Sequence, residues 1–147
     1  MKHQLLLIIH LLAACLWVGG HLLLCLRYLP KALKEKNPDM IRDFEKHFEP
    51  LGIPALAVSI VTGIMMAYDY NVTLSNWFSF SNSIEKIISI KLSLLVLTLL
   101  LAVHARVFII PKLNVKSLPF MAFHIILITL VGISMLIFGS LVRIGGI

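Results

Sequence analysis

Residues 3–26 contain no Lys, Arg, Asp or Glu, and twenty-four such residues in a row constrain this chain more than any other feature. As a helix the run is longer than the ~20 residues needed to cross a hydrocarbon core. Three further apolar segments follow, at 51–68, 87–110 and 117–142. In lipid only helices or closed barrels satisfy the backbone, and the period-two alternation of a barrel strand is absent. The sequence therefore predicts an all-α, single-domain chain (1–147). Its expected architecture is an antiparallel up-down-up-down bundle of four transmembrane helices at about 4–29, 38–69, 84–110 and 117–142. With 59% hydrophobic and 14% charged residues, the composition fits no soluble domain of this length.

The formal charge of +6 reads as topology, and no nucleic-acid partner is expected. Nine of the thirteen basic residues fall at one end of the predicted bundle: Arg27, Lys31, Lys34, Lys36, Arg42 and Lys46 between the first two helices, and Arg106, Lys112 and Lys116 around the last turn. The other end has Lys2, Lys86 and Arg143, with Lys91 nearby. By the positive-inside rule the basic end is cytoplasmic and both termini face the periplasm or its equivalent; the expected location is a bacterial inner membrane. Leu12–Cys15, "LAAC", resembles a lipoprotein cleavage site, but the apolar run continues for eleven residues beyond Cys15, so the segment is expected to stay as the first helix. Cys15 and Cys25 stand ten residues apart, ~15 Å along a helix, too far for a disulfide.

Asn37, Pro38 and Asp39 read as a helix start, and Pro50 and Pro54 are expected to bend that helix where it enters the membrane. Asp69–Ser83 is a polar-aromatic loop, with Asp69 and Glu85 taken as its loop charges. Met65, Met66, Met121 and Met135 read as fillers.

Histidine is the unusual residue. His10 and His21 are eleven residues apart, within ~20° of three full turns, so they share a face with Trp17. Small residues, Ala13, Ala14, Gly19 and Gly20, lie in the same stretch and leave room for close helix approach or a planar guest. His21, His104 and His124 fall at similar depth on three helices, toward the basic end. Polar groups in a span normally face the interior. Three imidazoles there are candidate ligands for iron, copper or zinc, or axial ligands of a haem in a bundle core. Arg27, Arg106 and Lys112 lie at the membrane edge where propionates would need partners. The apolar segments hold no acidic residue, so a hard-cation oxygen cage is not expected. The plain alternative is that these histidines make interhelical hydrogen bonds.

"HLLAACLWVGGHLLLCLRYLPKAL", "FEKHFEPLGIPALAVSIVTGIMMA", "IKLSLLVLTLLLAVHARVFIIPKL" and "FHIILITLVGISMLIFGSLVRIGG" together resemble short members of the copper-resistance protein D (CopD) family. The same pattern is similar, more distantly, to HemJ-type protoporphyrinogen oxidases, small four-helix membrane proteins that bind a b-type haem. His10 with Trp17 matches the first-helix pattern of that group, and Lys91 followed by His104 its third. The chain departs from it in the placing of "YLPK", in the extra His21 and in His124 on the fourth helix. The resemblance implies a His-ligated transition-metal centre, with haem b favoured and copper as the alternative. His21, His104 and His124 are the expected metal ligands. His10, Trp17, Gly20, Arg27 and Arg106 complete the expected cofactor site. Electron transfer or oxidation of a membrane-soluble reductant is the expected work, with a quinone or redox protein as partner and a homodimer as the candidate assembly. Copper transport and a non-catalytic subunit are the competing functions.

Overall fold

A computed structural model describes residues 1–142 with Ile144 and Gly145. Arg143 lies outside the described residues. Four helices are long and apolar enough to cross a membrane: α1 (Lys2–Glu35), α2 (Asp39–Asp69), α3 (Ser83–Lys112) and α4 (Leu118–Val142). There is no strand among the described residues. This is the all-α four-helix membrane architecture expected from the four apolar runs.

Local sequence explains where the helices begin and end. α1 runs through a π turn at Leu24–Tyr28 and stops at Lys36, which adopts a left-handed φ of 51°. The Asn37 N–H then bonds back to the Ala32 carbonyl at 2.9 Å, closing the helix end. α1 is therefore longer than the apolar run alone suggests, because Leu29 and Ala32 in the charged extension are buried. α2 continues through Pro50 and Pro54. Asn82 caps α3 by accepting the Glu85 N–H. α3 has its own π turn at Ala105–Ile109, and Pro111 falls in a closing 3-10 turn.

Glu85 is no simple loop charge. It is buried, and its two carboxylate oxygens accept from Asn76 Nδ2 at 2.9 Å and Ser79 Oγ at 2.7 Å. One carboxylate thus organises the loop between α2 and α3.

Packing runs in a chain. α2 lies along α1, α1 also packs on α4, and α4 on α3, whereas α2 and α3 make no comparable packed contact. At the basic end the largest buried cluster joins Leu24, Leu29 and Ala32 of α1, Ile41 of α2, Ala105 and Ile109 of α3, and Leu118 and Met121 of α4. Arg42 fastens this end, bonding both Asp39 and the Leu113 carbonyl of the last turn. Leu24 is only 1% exposed. Leu24→Ala is expected to cost about 2–5 kcal/mol through the cavity it leaves. Leu26→Ala, at a site 73% exposed, is expected to change stability by about 0.5 kcal/mol or less. Thermal melts of the detergent-solubilised variants check the contrast.

Candidate functional site

The first-helix stripe faces α2. His10 Nδ1 lies 2.9 Å from the Ser59 carbonyl and 3.0 Å from Thr62 Oγ1. Trp17 is buried beside Ala55 and against Gly132. His21 Nδ1 bonds the Trp17 carbonyl at 2.9 Å, and its ring lies 4.4 Å from that of Trp17 and edge-on to Phe48. Gly19 opens onto free space. Gly20 does not: the Phe48 ring fills the space a side chain would need there. The room the Gly-Gly pair was expected to leave for a planar guest is half taken by an aromatic ring from α2.

The three histidines do not meet. Among the described residues no group of three His, Cys, Asp or Glu could hold one metal ion. The expected trio is divided, because α1 turns His21 toward α2, while α3 and α4 pack on each other. His104 and His124 are brought together. Their rings are stacked, with centroids 5.1 Å apart and planes 18° apart, and His104 Nδ1 lies 3.0 Å from His124 Nε2.

The protons of this pair can be placed. His124 Nδ1 is 3.3 Å from the Phe120 carbonyl, one turn back on α4. A carbonyl only accepts, so this nitrogen carries hydrogen. With both rings neutral, His124 Nε2 accepts from His104 Nδ1–H. His104 Nε2 is then left with a lone pair and no proton. His124 is buried and held on two sides, whereas His104 is exposed on the outer face of α3. There it borders a shallow apolar groove of about 460 Å³ lined by Val96, Leu99, Leu100, Val103 and Phe108.

The basic residues divide in the same way. Arg106, two positions after His104, is ion-paired to Glu49 of α2. Arg27 and Lys112 are exposed. Sequence reasoning missed Phe48, Glu49, Ser59 and Thr62. The hydroxyls at 59 and 62, one helical turn apart inside an apolar run, were the signal available for two of them.

Compared with family models, with curated proteins and with solved structures, the chain matches none.

Proposed function

We propose that this chain is an integral inner-membrane haem protein in which His104 supplies an axial ligand and His124 positions it. The orientation that goes with this reading has the basic end in the cytoplasm and both termini in the periplasm. One observation carries the proposal: His104 Nδ1 lies 3.0 Å from His124 Nε2, and with both rings neutral this contact leaves His104 Nε2 free to ligate. Ligating histidines typically donate their other ring N–H to such an acceptor, which fixes the tautomer and raises the basicity of the ligand.

The chemistry of the surrounding residues supports a porphyrin here. The groove beside His104 is apolar and holds no acidic residue. Arg106 stands at its basic end, and Lys112 lies farther along the same helix. Either would be the partner of a propionate at this edge, Arg106 by exchanging Glu49 for it. A bound haem would supply one-electron ferric–ferrous chemistry. The protein's own work would be to hold the imidazole in one tautomer, to exclude water from one face of the groove and to balance carboxylate charge at the membrane edge.

The test is an absorption spectrum of the detergent-purified protein, oxidised and then reduced with dithionite, with metal analysis on the same sample. A Soret band that sharpens on reduction, with iron in proportion, supports the proposal. A colourless protein carrying copper overturns it in favour of copper handling. Absence of both after expression with added haem and copper also overturns it and leaves the relay as a helix-packing contact.

A further inference from the structure

At the end of the bundle away from the basic cluster, α2 and α3 are joined by the loop between Asp69 and Ser83. The two helices make no comparable packed contact along their length, so this loop is their main tie at that end. Residues 70–84 contain no Lys, Arg, Asp or Glu. Both flanking helices are long and apolar enough to cross a bilayer, so the loop between them lies at the bilayer surface.

For a turn in water this loop is inside out. Asn76 and Ser79 turn inward: Asn76 Nδ2 and Ser79 Oγ donate to the two carboxylate oxygens of Glu85, at 2.9 and 2.7 Å. Asn76 Oδ1 also accepts the Thr73 N–H at 2.6 Å. The apolar side chains go the other way. Leu74 is 67% exposed, Phe78 48% and Phe80 45%. Phe78 and Phe80 adopt φ of 63° and 56°, a left-handed backbone that bulky residues rarely take. Such a conformation persists only where its surroundings over-determine it. Here Ser79 stands between the two, tied by its hydroxyl to Glu85 and by its N–H to the Asn76 carbonyl at 3.2 Å. Glu85 thus braces a strained arc that holds two phenyl rings half out of the protein. In water, strain would be maintained only to expose apolar rings, which is unfavourable on both counts. At a bilayer surface the same rings leave water.

We propose that this loop is an interfacial anchor, with Phe78 and Phe80 seated in the headgroup and upper acyl layer of the bilayer and Glu85 bracing them from the protein side. The bilayer is already at this level, because α2 ends and α3 begins here. The exposed phenyl groups and the Leu74 isobutyl group carry no charge or hydrogen-bonding atom for a specific protein partner. A lipid layer needs neither.

Spin labels on the full chain in phosphatidylcholine vesicles test this. Phe78→Cys, Phe80→Cys and Ser75→Cys are each labelled in a Cys15→Ala, Cys25→Ala background. Collisions with oxygen, which concentrates in the bilayer, are compared with collisions with a water-soluble nickel chelate. Labels at 78 and 80 are expected to favour oxygen, and the label at the exposed Ser75 the nickel chelate. Glu85→Ala is expected to abolish that contrast, and an undiminished contrast overturns the bracing role. Equal accessibility at all three positions overturns the proposal. So do labels at 78 and 80 shielded from both reagents, since a second copy or another protein would then cover the loop. Trp77, beside Phe78 and partly exposed, reads the loop with both phenyl rings in place. In the Trp17→Phe chain its fluorescence is expected to be quenched by lipids brominated on the upper acyl chain and not by aqueous iodide. The reverse overturns the proposal.

Discussion

On the proposed haem reading, replacing His104 by alanine is expected to leave less than about a tenth of the wild-type Soret absorbance per chain, while His21→Ala is expected to leave that absorbance in place. The difference follows from where the two imidazoles sit. His104 borders an apolar groove and is held through Nδ1 by His124, and no other described His, Cys, Asp or Glu completes a three-residue group with the pair. His21 is held between Trp17 and Phe48 and bonds the backbone of its own helix. His124→Phe separates positioning from ligation. The ring volume stays, the acceptor for His104 Nδ1–H is lost, and haem affinity is expected to fall by about 10–100-fold without vanishing. Haem titration of the three purified apo-variants, with melts to confirm folding, reads all of these. If His104→Ala retains full haem and His21→Ala loses it, the iron belongs inside the bundle, between α1 and its neighbours, and the relay is structural.

Gly20→Val is expected to destabilise the chain by about 1–3 kcal/mol, the usual cost of forcing extra carbon into a packed contact. Here the obstacle is Phe48, whose ring lies against both Gly20 and Gly52 and is stacked 5.5 Å from that of Phe44. A Cβ on Gly52 would stand 2.6 Å from the same ring, so the ring has little freedom to retreat toward α2. Gly19→Val, one residue away, meets open space, and since valine is the better helix former it should leave stability unchanged or raise it by under about 0.5 kcal/mol. Thermal melts in one detergent measure the pair. Equal stabilities for the two variants would mean that α1 and α2 can separate at Phe48 without loss. Phe48→Ala in the Gly20→Val background should recover part of the loss if ring and methyl group are the cause.

The four spans were legible because run length alone decides them: 24 uncharged residues leave a chain few options. The common face of His10, Trp17 and His21 was also legible, since helical spacing is arithmetic. What that face meets was not. Periodicity fixes which residues of one helix stand together, but the rotation of α1 relative to α2, α3 and α4 is set by packing among residues far apart in sequence. Matched depth therefore suggested a trio, whereas rotation made a pair of His104 and His124 and sent His21 to Phe48. Gly20 illustrates the same limit. The sequence indicated that something bulky could approach, and a phenyl ring 28 residues away occupies the place. Glu85 and Lys36 were invisible for a different reason: both answer to backbone geometry at chain reversals rather than to hydropathy.

The π turns in α1 and α3 have a bearing on how this protein can vary. At 100° per residue, Leu29 would stand about 140° around the helix from Leu24. The wider turn at Leu24–Tyr28 takes up one surplus residue, and both leucines lie in the same buried cluster. Ala105 and Ile109 bracket the corresponding turn of α3 and enter that cluster too. The turn in α1 therefore acts as a phase correction between the membrane-length part of the helix and its basic extension. The count of residues from Leu24 to Leu29 is constrained more tightly than their identities. A conservative exchange alters one contact, but a one-residue deletion would rotate the whole extension and carry Ala32 out of the core.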